Sequence, residues 1–134
     1  RRARDRRKKM TRGSDMEFKR NYHSHTARCG HAVGRDEESI ENAVKAGLEV
    51  YGISDHVPYP VPNDAERMRM EQAEEYLEAV EGYREKYKDR IRIYLGMEIE
   101  NFPSQRETLT AFRKRLDYCI LGQHNLERDV ESCY

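Results

Sequence analysis

The order of elements in this sequence predicts an α/β fold of the parallel barrel type. Three observations carry that reading. Short apolar and β-branched runs alternate with helical stripes as strand, helix, strand, helix, strand, helix, strand. The intervening helices, of about 10 to 20 residues, suit right-handed crossovers between parallel strands. A ligand-type residue follows each of the four strand runs: His23 with His25, then His56, Glu98 and His124. In a parallel barrel every strand's carboxyl end opens on one face, so these positions would converge. An open doubly wound sheet normally gathers its site at one switch point instead.

The first strand is read from Phe18 to His25, ending in His23-Ser24-His25. His23 and His25 are two apart, so on extended backbone both leave the same face, and Ser24 leaves the opposite one. The turn-prone Cys29-Gly30 pair can swing His31 back toward them. Asp36 is placed to cap a helix whose Ile40, Ala43, Val44 and Leu48 recur at helical spacing and which Gly47 stops. Val50 to Ser54 reads as the second strand, delivering Asp55 and His56. The proline-rich run Val57 to Asp64 can be neither helix interior nor central strand, so it forms a loop over the strand end.

A helix over about 68–88 follows, with Met70, Ala73, Leu77, Val80 and Tyr87 on its core stripe. Ile91 to Leu95 is the third strand, handing over at Gly96-Met97-Glu98-Ile99-Glu100. Glu100 shares a strand face with Glu98, or is a solvated loop charge. Ser104 and Glu107 carry a capping-box signature for a third helix with Leu109, Phe112 and Leu116 inward. Tyr118 to Gly122 is the fourth strand, ahead of Gln123-His124-Asn125, and residues 126–134 begin a further element.

Charge divides the chain in two. Residues 1–15 hold eight Lys or Arg against two Asp, a net +6, and the remaining residues carry the balancing −6. The first segment lacks apolar periodicity and reads as a disordered tail or as sequence upstream of the domain, which would occupy 16–134; a basic arm is the alternative. A net charge of zero over 134 residues argues against nucleic-acid binding by bulk electrostatics. No apolar run is long enough to span a bilayer, and three cysteines without Cys-x-x-Cys spacing fit a reducing cytosol, so a cytoplasmic protein with no membrane partner is expected. The oligomeric state is not written in these residues.

Five imidazoles and one or two carboxylates around one mouth suit zinc, manganese or iron better than magnesium or calcium. Six ligands exceed one tetrahedral site, so two or three divalent ions are expected, with Glu98 suited to bridging them. Such ions lower the pKa of bound water and clamp both oxygens of an in-line displacement at phosphorus, which points to phosphoester hydrolysis of a small phosphorylated metabolite. Asp55 either orients a ligand or caps its loop. Cys29 is a packed thiol or a soft ligand, and lacks the partners of a catalytic nucleophile. Arg28 is the nearby candidate for binding substrate phosphate, or else a surface charge.

His23-Ser24-His25-Thr26 with Cys29-Gly30-His31, Ser54-Asp55-His56, Gly96-Met97-Glu98 and Gly122-Gln123-His124 together resemble the polymerase and histidinol phosphatase (PHP) superfamily, and their wording is similar to its histidinol-phosphatase branch. The resemblance implies a distorted seven-stranded β/α barrel with a trinuclear metal centre, of which this chain would supply the N-terminal half. It implies that His23 and His25 hold one ion, that Glu98 bridges it to a second bound by His124, and that His31 and His56 bind a third. It further implies hydrolysis of L-histidinol phosphate to L-histidinol and phosphate, in histidine biosynthesis. The family's later histidine and Asp-x-His motif have no counterpart among these residues, so residues 1–134 alone are expected to turn over little. A nucleotide phosphatase or proofreading nuclease of the same superfamily, or a non-catalytic metal-binding module, are the other functions compatible with the pattern.

Overall fold

The computed structural model describes residues 18–60 and 66–124. The readings made of the basic segment 1–15, of the proline loop at 61–65 and of residues 125–134 fall outside the described residues.

Strands β1 (Arg20–Asn21), β2 (Val50–Ile53), β3 (Arg92–Ile99) and β4 (Tyr118–Leu121) alternate with helices α1 (Asp36–Lys45), α2 (Ala73–Lys86) and α3 (Arg106–Arg113). All strand pairs are parallel and the spatial order is the sequence order, β1-β2-β3-β4. The result is a curled parallel sheet, half of a barrel. β3 is shared between its neighbours by halves: Arg92 to Leu95 pair with β2, and Gly96 to Ile99 pair with β4. That offset is the register stagger that closing a barrel requires.

The side chains of β2 and β3 alternate between two environments, as a pleated strand dictates. Tyr51 and Ile53, with Ile93, Leu95 and Met97, join Ile40 and Ala43 of α1 and Tyr76, Leu77 and Val80 of α2 in one apolar cluster. Leu109, Phe112 and Leu116 extend it toward α3. The other face carries Gly52 and Gly96, and a Cβ at either would run into Tyr118. Tyr118 crosses this face and donates its hydroxyl to the Tyr22 carbonyl at 2.6 Å. Tyr22 and Tyr118 rings meet edge to face at 6.0 Å. In a flat sheet β1 and β4 would lie three strand spacings apart, about 14 Å, too far for one tyrosine to cross. The hydrogen bond is therefore a direct signature of curl.

Several boundaries differ from those read in the sequence. The first strand is two residues of regular ladder, although Ser54 N still donates to Ser24 O at 3.0 Å, so the backbone runs on extended to the histidines. Arg35, not Asp36, stands at the cap of α1, because the Asp36 carboxylate is drawn to the Arg28 guanidinium at 2.7 Å. The second helix begins at Ala73, after a 3-10 turn over Met70–Gln72. Met70 is thereby left exposed at 37 %, and Met68 takes the buried place at 2 %. Ser104 lies within a 3-10 turn opened by Pro103 and does not cap α3, which starts at Arg106. β3 runs on to Ile99 and carries Glu98 inside its ladder. Gly47, at φ 81°, ends α1 in the left-handed conformation expected of it.

Candidate metal centre

The ladder between β2 and β3 continues past the regular strands to an isolated bridge pairing His56 with Glu98. Pairing places these two side by side on the concave face. Extended backbone beyond β1 brings His23 and His25 to the same place, and the residues after β4 bring His124. The Glu98 carboxylate, 3 % exposed, is the hub. Its Oε2 lies 2.9 Å from His23 Nε2, 3.4 Å from His25 Nε2 and 3.7 Å from His56 Nδ1, and its Oε1 lies 2.7 Å from His124 Nε2. His31 completes the group, its ring 5.0 Å from that of His56 and 5.9 Å from that of His25.

Among the described residues, three overlapping donor sets are close enough to hold an ion: His23, His25 and Glu98; His56, Glu98 and His124; and His25, Cys29 and His31. All five histidines of the chain take part. Burial raises the Glu98 pKa, but hydrogen bonds from His124 and His23 and the neighbouring His56 outweigh it, leaving the carboxyl below its ordinary value. Burial pushes His56 down to about 4, helped by His25 and His31 against the pull of Glu98. At neutral pH the site thus presents a carboxylate and a neutral imidazole, the forms that bind metal.

Asp55 lies behind the histidines, fully buried. It accepts from Thr26 N at 3.2 Å and from the Thr26 hydroxyl, accepts from His56 N at 2.8 Å, and sits 3.4 Å from His25 Nδ1. Its own N–H donates to the Tyr76 hydroxyl at 3.3 Å, and that hydroxyl lies 2.7 Å from the Gly96 carbonyl. Tyr76 of α2 therefore ties the exits of β2 and β3 together beneath the site. Cys29 is buried at 1 %, its Sγ 3.4 Å from the Thr26 carbonyl and 3.9 Å from His25 Nδ1. Burial, with Asp55 nearby, pushes this thiol up to about 12. Arg28 turns its guanidinium to Glu75 and Asp36, at 2.7 Å each, and away from the histidines. Glu100 is buried at 1 % against Arg67, with Arg67 Nη2 at 2.5 Å from Glu100 Oε1.

Two contributors were not singled out from the sequence. Tyr76 lies off the stripe read in the sequence for the second helix, and nothing local marks its hydroxyl. Arg67 follows the proline loop with no periodic signal, and only the fold brings it to Glu100. Together His31, His56, Glu66, Arg67, Glu100 and His124 line a cavity of about 320 Å³ beside the donors.

A family description, the PHP domain, matches residues 21–132. This chain belongs to the PHP family. It is 37% identical over 107 residues to the "probable histidinol-phosphatase" of Deinococcus radiodurans, covering 78% of this chain and 41% of that protein. It is 29% identical over 122 residues to the histidinol-phosphatase of Bacillus subtilis, covering 83% and 46%. The chain thus spans under half the length of these relatives. Among solved PHP-type folds it resembles a candidate histidinol phosphatase of Listeria monocytogenes (TM-score 0.73, 23% identity, 81% of this chain and 46% of that one). It also resembles the histidinol phosphate phosphatase of Lactococcus lactis, solved with zinc, L-histidinol and phosphate (TM-score 0.67, 20% identity, 82% and 41%). Both likenesses bear out the partial α/β barrel, expected as a barrel from the order of elements and as its N-terminal half from the family resemblance. Among the described residues, no helix is long and apolar enough to cross a membrane.

Proposed function

We propose that this half-barrel supplies the metal-binding wall of a phosphomonoesterase, with L-histidinol phosphate as its substrate, L-histidinol and phosphate as products, and histidine biosynthesis as its setting. The observation that carries the reading is one buried carboxylate, Glu98, facing four imidazoles from three other strand ends. The donors fit borderline divalent metals better than calcium, being mostly imidazole nitrogens around one carboxylate. His23, His25 and Glu98 would hold one ion, and Glu98 with His124 a second. His31 and His56 would hold a third. When bound, such ions activate water and neutralise phosphate oxygens.

The chain's own residues do the rest. Glu98 offers one oxygen to each side, so it can join two ions. Asp55 fixes the Thr26 backbone and the His56 N–H, and stands behind His25. The cavity bounded by His31, His56 and Arg67 gives an anionic ester room beside the ions. Similarity to the named relatives supports the choice of ester.

The test is zinc counting followed by ligand binding. The chain, dialysed against zinc, should retain at least two ions, and His25→Ala should lose at least one; unchanged stoichiometry removes His25 from the site. L-histidinol phosphate should raise the melting temperature of the zinc-loaded chain more than unrelated phosphomonoesters or single-stranded DNA do, and should not do so for the zinc-free chain. Phosphate release by residues 1–134 is expected to be slow, because the His23 and His124 side chains are about half exposed and water is not excluded from them.

A further inference from the structure

Glu100 lies two residues beyond Glu98, and its surroundings are out of proportion to a structural charge. Two segments meet on it. From the loop after β2, Arg67 places Nη2 at 2.5 Å from Glu100 Oε1, and the Tyr59 hydroxyl donates to the Glu100 carbonyl at 2.8 Å while accepting from Glu100 N at 3.3 Å. The Arg67 guanidinium lies over the Tyr59 ring at 5.1 Å. From the segment after β4, His124 N donates to Glu100 Oε2 at 3.2 Å and Gln123 Nε2 donates to the same oxygen at 3.3 Å. The Gln123 side-chain oxygen accepts from Asn101 N at 3.0 Å.

A buried ion pair is a weak stabiliser, since desolvation of both partners offsets much of their attraction. Its consequence is better sought in what it holds still. His124 is the donor most in need of holding. Its side chain is 53% exposed, against 7% for His56, so packing does little to orient it. It is anchored by its backbone N–H on Glu100 and by its Nε2 at 2.7 Å from Glu98.

We propose that Glu100 is a positioning residue of the metal centre: its carboxylate, held by Arg67, fixes the backbone of His124 so that the imidazole meets Glu98. This rests on the metal-binding reading of the site. Outer partners of metal ligands contribute in this way, and losing one typically costs about 10–100-fold in affinity.

The experiment is zinc titration of the chain against a chromogenic chelator, with metal-free thermal melting measured alongside. Glu100→Gln should weaken one zinc ion by about 10–100-fold and leave tighter ions unchanged. In a His124→Ala background the same change should add no further loss, because Glu100 acts through His124. Replacing both partners, Glu100→Met with Arg67→Met, should recover the metal-free melting temperature lost by Glu100→Gln, while zinc stays weakened. Wild-type zinc affinity in the double replacement, or additive losses in the His124→Ala background, overturns the positioning role. If the wild-type chain binds no zinc, or His124→Ala binds it as the wild type does, the metal reading itself fails and the inference with it.

Discussion

Glu98 shows how one residue can be both legible and underestimated. Its type and place after an apolar run mark it as a candidate ligand, but the sequence does not show that four imidazoles would crowd one carboxylate. That follows from the His56 bridge, which sets the two side chains abreast. Since Glu98 belongs to two of the three donor sets, as His25 does, Glu98→Gln should reduce bound zinc more than loss of His23, His31, His56 or His124, and retention of the full count in that variant contradicts a shared ligand. The histidines and Glu98 could be read because their spacing relative to strand ends is local information. Arg67 and Glu100 could not be paired, because their meeting depends on the path of a loop that carries no periodicity. Arg28 illustrates the opposite limit: a cation near the site in sequence, yet satisfied by Glu75 and Asp36, whose hydrogen bonds and charge raise its pKa further still.

Among the elements, α2 does more than cover the sheet. Its Tyr76 is fully buried and its hydroxyl meets the Asp55 N–H, the Gly96 carbonyl at 2.7 Å and the Ile53 carbonyl at 3.0 Å. Tyr76→Phe keeps the ring and removes the only atom that serves these groups together, leaving the Asp55 N–H buried without its acceptor. The expected cost is about 1–3 kcal/mol, read as a lower urea midpoint of the metal-free chain. A midpoint unchanged from wild type would show that the groups find other partners. Strand and helix order was legible from periodicity, and so were the apolar faces of α1 and α3. Boundaries were less so, since 3-10 turns at Met70–Gln72 and Pro103–Gln105 share residues with the helices they precede. The division of β3 between two partners was not legible either, because a strand's own residues do not encode where each neighbour begins.

Over the whole molecule, curl is what gathers the donors, and Tyr118 is its lock on the concave face. Burial pushes the Tyr118 phenol up to about 12. An acid whose pKa is raised by folding is deprotonated earlier in the unfolded chain, so this contribution is complete below pH 10 and is lost as pH rises from 10 to 12. Urea midpoints should therefore fall across that interval, and fall less steeply in Tyr118→Phe. Equal slopes for the two proteins would remove Tyr118 from the effect. The parallel barrel was legible from the order of elements and its being a half from the family resemblance, while the room for its curl at Gly52 and Gly96 becomes visible only once Tyr118 lies across them.

The four strand exits that meet at Glu98 have a topological consequence. His23 and His124 both touch this carboxylate. An ion shared by donors from the two exits would act as a reversible cross-link closing a loop of about 100 residues, and the entropy removed from an unfolded chain grows with the logarithm of such a loop. Metal would then be a tether as well as a reagent, and its removal would slacken the entire curl at once.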